Sequence, residues 1–235
     1  MPRAIAIETS SRIGSIALAD GERVLAERQF EHGLQHAAMI LPIIDSLCRE
    51  QAWGPRDVEQ VYVSAGPGSF TGLRIGITLA KTMALATGVK LVAVPSTRVI
   101  VENAPRGAKH VVIVLDAKRE QIFTARFERV GKEWVEREAA HLDSLAAMIA
   151  RSPRVVHLIG EGIPYHERII DRGDASVIVT AQELWRPRAS VVAKLGAEMA
   201  RRGEFCDPDQ LIPIYIRRAE AEEKFEALHA KQKPA

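Results

Sequence analysis

Gly66-Pro67-Gly68-Ser69-Phe70-Thr71-Gly72-Leu73-Arg74-Ile75-Gly76 is the stretch on which the reading of this chain turns. The apolar run Val61-Tyr62-Val63-Ser64 precedes it. A helical pattern from about Thr71 to Thr87 follows, stopped by Gly88 where a left-handed residue is favoured. Strand, glycine-rich turn and helix in that order indicate an α/β chain. Such a turn can aim backbone N–H groups at an anion, glycines admit close approach of another backbone, and Ser69 or Thr71 can cap the helix. Three phosphate or nucleophile motifs nevertheless fail. A Walker loop needs Gly-Lys-Ser/Thr, and Leu73-Arg74 follow Gly72. The dinucleotide fingerprint has one residue fewer before its third glycine. A nucleophile elbow needs G-x-S-x-G, whereas Ser69 directly follows Gly68.

The helix beyond the turn carries a second pattern. Gly72, Gly76, Ala80 and Ala84 recur every four residues, a flat stripe flanked by Leu73, Ile75, Ile77, Leu79, Met83 and Leu85. Polar Arg74, Thr78, Lys81 and Thr82 share an arc of roughly 100° at 3.6 residues per turn, so most of the circumference requires burial. A small-residue face permits close helix packing. Two readings stand: the stripe packs within the chain's own sheet and first helix, or part of this surface docks a partner.

Outward from this centre, Ala4–Ile7, Ser15–Ala19 and Val24–Gln29 read as a three-stranded meander, with Asp20-Gly21 at a hairpin. Residues Gln35–Glu50 have helical spacing, with Met39, Ile40, Ile43, Ile44 and Leu47 apolar and Pro42 inside. Leu91–Val94 is a short strand ended by Pro95. Downstream, Val111–Leu115 ends at Asp116, Gln121–Glu128 follows, and Gly131 turns the chain into Trp134-Val135. A strand ending in a carboxylate and then a hairpin partner occurs in both halves, which suggests a faint internal duplication. Leu142–Ala150, about Tyr165–Asp171 and Ala189–Arg202 read as helices, Val155–Ile159 and Ser176–Val179 as strands, and Pro208–Ile216 as irregular or extended. We divide the chain into lobes 1–104 and 105–218 with a charged tail over 219–235.

The 235 residues are 47% hydrophobic and 26% charged, with net charge +2, an ordinary globular balance without the footprint of a strongly basic nucleic-acid binder. Cys48 and Cys206 have no metal-ligand spacing and read as reduced thiols. The N-terminus lacks signal-peptide features and no stretch reaches the length of a membrane span, so the cytoplasm is the expected compartment. His32 and His36 are four apart, but Gly33 intervenes and no third ligand is evident; they read as solvated or capping, and no metal is expected. Glu8 and Asp116 end equivalent strands, where two carboxylates could hold Mg²⁺ through water or simply form turns. Gly160-Glu161-Gly162 reads as a turn. Ser69 has no visible base, which disfavours a peptidase.

Taken in order, Ala6-Ile7-Glu8-Thr9-Ser10, then His36 and Ile40-Leu41-Pro42, then Gly66–Gly76, resemble the TsaB/YeaZ family. Asp116-Ala117-Lys118-Arg119 with Ile122-Phe123 is similar to its "DAR…E-V-Y" element, and Pro213-Ile214-Tyr215-Ile216-Arg217-Arg218 to its "P-x-Y-L-R" element. The match covers nearly the whole chain and is weak over about 133–192. Glu8 stands where many relatives have Asp, and Ala65 where glycine or a charged residue is common. The resemblance implies an actin-like (ASKHA, ribonuclease H-like) α/β fold of two lobes from a duplicated β-meander/α unit. It implies a non-catalytic partner of TsaD, joined by the ATPase TsaE, in transfer of threonylcarbamoyl to adenosine 37 of tRNAs reading codons that begin with A. The TsaD contact would use His36, Met39, Ile40 and Ile43 of the first helix with Gly72, Leu73, Gly76, Ala80 and Met83 of the second. A homodimer would form when the chain is alone, and tRNA would be touched only indirectly. No cofactor is required; weak ATP/ADP with Mg²⁺ at the TsaD junction, or an anion near Glu8, Thr9, Ser10, Gly66, Gly68, Ser69 and Asp116, is secondary. The alternative is an autonomous ATPase or kinase of the same fold.

Overall fold

The computed structural model describes residues 1–31 and 36–217, and the side chains of all of these except 36–38. The His32/His36 pair and the tail 219–235 fall outside the described residues. The first sheet contains β1 (Arg3–Glu8), β2 (Ile13–Asp20), β3 (Arg23–Glu31), β4 (Gln60–Gly66) and β5 (Lys90–Pro95) in the order β3-β2-β1-β4-β5. β1, β2 and β3 form an antiparallel meander, while β4 and β5 run parallel to β1. Alternation sorts the side chains of β1 to two buried faces. Ile5 and Ile7 sit level with Leu18 and Ile16 on one neighbour and with Val61 and Val63 on the other. These large residues meet α1 (His36–Glu50) and α2 (Phe70–Thr87). Ala4, Ala6, Ala17 and Ala19 face the opposite layer, formed by α5 (Ala189–Arg201). There Gly196 lies so close to Tyr62 that an added Cβ would stand 2.4 Å from the ring.

The second sheet is formed by β6 (His110–Ile113), β7 (Leu115–Asp116), β8 (Ile122–Val130), β9 (Glu133–Asp143), β10 (Val156–Ile159) and β11 (Val177–Val179). β8 and β9 are antiparallel partners beside β6, and β10 and β11 are parallel to it. The order β9-β8-β6-β10-β11 thus repeats β3-β2-β1-β4-β5, the actin-like, ribonuclease H-like arrangement. α3 (Ser96–Val101) joins the sheets, with Val99 buried in the first half's core and Ile100 and Val101 in the second's. α4 (Leu145–Arg151) covers the second core through Leu145 and Met148. Sequence reasoning missed α3, because Val99-Ile100-Val101 is a β-branched run that burial on both sides turns into a helix. It also began the next helix at Leu142. Leu142 and Asp143 instead pair with Phe123 and Ile122 in the sheet, and Ser144 caps α4 by accepting the Ala147 N–H. The segment expected as a helix near Tyr165–Asp171 is a 3-10 helix over Ile163–Ile169.

Candidate functional site

The C-terminal ends of β1 and β4 meet those of β6 and β10 across a cleft of about 1050 Å³. Glu8, the last residue of β1, is 0% exposed. Its Oε1 accepts the Ser10 N–H at 2.5 Å and the Ser10 hydroxyl at 2.6 Å, and its Oε2 accepts the Ser64 hydroxyl. Burial raises its carboxyl above the ordinary carboxylate range, against the lowering effect of those bonds. Glu8 ties β1 to β4 and offers no atom to the cleft.

The glycine-rich turn is closed from the same side. A Cβ on Gly68 would lie 2.3 Å from the Ser10 carbonyl oxygen, and the Ser69 N–H donates to that oxygen at 2.7 Å. The Gly66 N–H goes to Ser96 Oγ, and Ser69 Oγ accepts the Gly72 N–H as the cap of α2. A Cβ on Gly76 would stand 2.3 Å from Thr9 Oγ1. The glycines therefore let strand ends and helix approach one another, and Thr9 and Ser10 are the residues they approach.

The second half repeats the device. Gly160 has φ +136°, a Cβ there would lie 2.3 Å from the Val114 oxygen, and the Gly162 N–H donates to that oxygen at 2.9 Å. Gly160-Glu161-Gly162 is thus the counterpart of Gly66-Pro67-Gly68, although by sequence it read as a plain turn. The legible signal was a G-x-G after a buried strand. Asp116 is not equivalent to Glu8 in chemistry: it is partly exposed on the cleft wall, accepts the Lys118 N–H at 3.1 Å, and faces His166 Nε2 at 3.5 Å. Sequence reasoning missed His166, which arrives from a distant 3-10 helix. Lys118, Arg119 and Glu120 have φ of 59°, 53° and 61° in succession. Each such left-handed residue costs roughly 1–2 kcal/mol, so the turn is imposed by its surroundings.

The segment after α5 straps the cleft. The Ile214 N–H donates to the Ala65 oxygen at 2.7 Å, Tyr215 lies 5.0 Å from Phe70, and Arg217 donates to the Ala117 oxygen at 2.8 Å and to Gln121 Oε1. Arg74 lies 3.9 Å over the Phe70 ring and donates to the Tyr215 hydroxyl at 2.9 Å; Lys81 donates to the Leu211 oxygen. These two helix cations hold the strap.

A magnesium-bound nucleotide, the ligand the fold implies, does not fit these residues. Glu8 is sealed, and the loop amides of Gly66, Ser69 and Gly162 are bonded within the chain. Among the described residues no three His, Cys, Asp or Glu side chains gather as metal ligands would, and no helix is long and apolar enough to cross a membrane.

The expected docking residues divide. Ile40, Ile43, Gly72, Leu73, Gly76 and Ala80 are buried within the chain, with Gly76 against Thr9 and Ile7 and Ala80 and Ala84 in the first core. The stripe is taken up by the chain's own core. Met83 is half-buried, Met39 is 47% exposed, and the His36 side chain lies outside the described residues. What α1 and α2 leave outward is Met39, Leu41 and Leu85, with Ile75, Leu79 and Met83 half-exposed. Sequence reasoning passed over Leu41, Leu79 and Leu85 in favour of the stripe, because periodicity gives a buried face without saying what buries it.

The family model described as "TsaD: tRNA N6-adenosine threonylcarbamoyltransferase" matches residues 31–225. The tRNA threonylcarbamoyladenosine biosynthesis protein TsaB of Bacillus subtilis is 31% identical over 226 residues, spanning 94% of this chain and 96% of its own. TsaB of Escherichia coli is 26% identical over 226 residues, 92% of this chain and 94% of its own. YeaZ from Pseudomonas aeruginosa superposes with a TM-score of 0.78 at 24% identity, over 92% of this chain and all of that one, a likeness of fold. With near-full-length matches to TsaB proteins, and the glycine-rich turn and strap in place, the chain belongs to the TsaB (YeaZ) family of tRNA threonylcarbamoyladenosine biosynthesis proteins.

Proposed function

We propose that this chain is a non-catalytic partner subunit in formation of N6-threonylcarbamoyladenosine at position 37 of tRNAs reading codons that begin with A. It stabilises the transferase TsaD, TsaE joins the pair, and alone it forms a homodimer. The carrying observation is the set of large apolar side chains that α1 and α2 leave exposed, Met39 at 47%, Leu41 at 57% and Leu85 at 73%. Surface of that kind is costly on a lone monomer and suited to a helical interface. The sealed Glu8 supports the non-catalytic assignment over an autonomous ATPase, since the acid that would hold a metal is bonded to Ser10 and Ser64. In this reading any nucleotide of the assembly sits at the junction with TsaD, outside this chain's own cleft.

The test is co-purification with TsaD. Wild type is expected to form a stable complex, and Leu41→Asp with Leu79→Asp to lose it while remaining folded. No complex with wild type, together with full tRNA modification in a deletion strain, would overturn the assignment. Magnesium-dependent ATP hydrolysis by the isolated chain, lost in Glu8→Gln, would favour the enzyme instead.

A further inference from the structure

The chain passes between the two lobes at two places that lie side by side. α3 carries it from the first half to the second, and residues 185–189 return it, from Trp185 in the second core to Ala189 in the layer of α5. Asn103, just past α3, donates to the carbonyl oxygens of Leu184 at 3.2 Å and Arg186 at 2.7 Å, which ties one crossing to the other. Two crossings bound together make one narrow hinge. Lobes joined in that way rotate against each other unless something else holds them.

The strap makes a third link, away from that hinge. Residues 211–217 run from the first lobe to the second along the cleft, which Ile214, Tyr215, Ile216 and Arg217 line and α3 does not. The first-lobe end is anchored at several points. Leu211 is buried in the first core, and Lys81 donates to its carbonyl oxygen at 3.3 Å. The Ile214 N–H donates to the Ala65 oxygen, and the Tyr215 hydroxyl accepts from Arg74.

The second-lobe end is held by Arg217, which donates to the Ala117 oxygen at 2.8 Å and to Gln121 Oε1. A planar guanidinium that meets two acceptors fixes direction as well as distance. The loop that receives it is itself closed. The Ala117 N–H donates to the Gln121 oxygen and the Gln121 N–H to the Lys118 oxygen, each at 3.0 Å, around the left-handed run Lys118–Glu120. A firm link placed away from a hinge removes the rotation about it. A further contact between the lobes, from the Arg12 N–H to Glu161 at 3.1 Å, is a single exposed bond.

We propose that residues 211–217 are a latch that sets the angle between the lobes, seated on α2 by Arg74 and Lys81 and closed on the second lobe by Arg217. Release of Arg217 lets the lobes swing about the Asn103 junction and the cleft widen. Because α2 seats the latch, the state of that helix and the interlobe angle are coupled: freeing Tyr215 from Arg74 loosens the second lobe as well. The latch is a property of the single chain. It goes beyond the assignment as a partner of TsaD and is tested independently of it.

The experiment measures the distance between the lobes by double electron–electron resonance in the full chain. Nitroxides are placed at Thr71→Cys and Gln182→Cys, both exposed on the cleft, with Cys48→Ser and Cys206→Ser removing the native thiols. Excess unlabelled chain is added so that only pairs within one chain are read. The labelled parent is expected to give one narrow distribution. Arg217→Ala and Ile214→Pro open opposite ends of the latch. Each should broaden the distribution and lengthen its mean by more than about 2 Å, the scale of a domain rearrangement. Ile214→Pro deletes the donor to Ala65 at a partly exposed position, so a folding defect in one variant leaves the other to decide. Arg74→Ala should move the distribution in the same direction by a smaller amount. Arg28→Ala, which loses bonds to Ser46 and Glu50 within the first lobe, should leave it unchanged. An unchanged distribution in both Arg217→Ala and Ile214→Pro would overturn the latch, as would a broad distribution in the parent or an equal shift in Arg28→Ala.

Discussion

Glu8 exchanges three hydrogen bonds with Ser10 and Ser64 in complete burial, so its side chain acts on stability. Glu8→Ala orphans those donors and opens space, and should destabilise by about 2–5 kcal/mol in urea unfolding; Glu8→Gln should cost less. Because its folded-state pKa is raised, the folded chain holds a proton that the unfolded chain releases once pH exceeds the ordinary carboxylate range. Its contribution is therefore full below the unfolded value and declines as pH rises through the folded one. Urea midpoints from pH 4 to 8 should fall less steeply with pH in Glu8→Gln than in wild type. Gly76 offers a second residue-scale test. Gly76→Ala puts a methyl 2.3 Å from Thr9 Oγ1 and should cost about 1–3 kcal/mol. Thr9→Ala in the same chain should recover most of that, a coupling that denaturation of the four variants measures directly. In the sequence Gly76 was legible as a close contact. That its neighbour is Thr9, the residue after β1, was not, because spacing carries no information on distant partners.

At the scale of elements, α2 was readable from end to end, since Ser69 caps it and Gly88 closes it with φ +76°. Its assignment to an interface was less so. The α1–α2 layer has an inner face packed on the first sheet and an outer face on which Met39, Leu41 and Leu85 stand exposed among polar residues. The strap after α5 read as irregular or extended. Its geometry depends on Arg74 and Lys81, which lie on a helix more than a hundred residues earlier and stood out in sequence only as part of a polar arc. Arg74→Ala removes a cation over Phe70 and a bond to Tyr215, worth about 1 kcal/mol at an exposed site. Hydrogen exchange of the Ile214 amide, which bonds to Ala65, should quicken about fivefold while Val61 and Val63 amides in β4 remain unchanged.

On the scale of the whole molecule, the recurrence of one strand order in both sheets is far clearer than the sequence suggested. Strand-end acids at Glu8 and Asp116 hinted at it, but the two halves keep backbone geometry and have exchanged side chains. What persists is the pair of glycines at the ends of β4 and β10, since a backbone pressed against another tolerates no substitute. Gly66→Ala and Gly160→Ala, at φ +109° and +136° against neighbouring carbonyl oxygens, should each destabilise by about 2–4 kcal/mol. Equal losses in the two variants, read by urea unfolding, are the expected sign of equivalent roles. Lys118 and Arg119, in the left-handed run, and Tyr165, in the 3-10 turn, line the cleft.

The packing of α5 on the first sheet sets a timetable for synthesis. Ala4, Ala6, Tyr62 and Val92 pack against a helix that leaves the ribosome roughly a hundred residues after β5. At about 5–20 residues per second, that is about 5–20 s during which a complete first sheet carries one bare face. A fragment ending at 104 keeps that face open permanently and is expected to bind a hydrophobic dye and aggregate. For the nascent chain, the interval between β5 and α5 is the period in which a chaperone has something to hold.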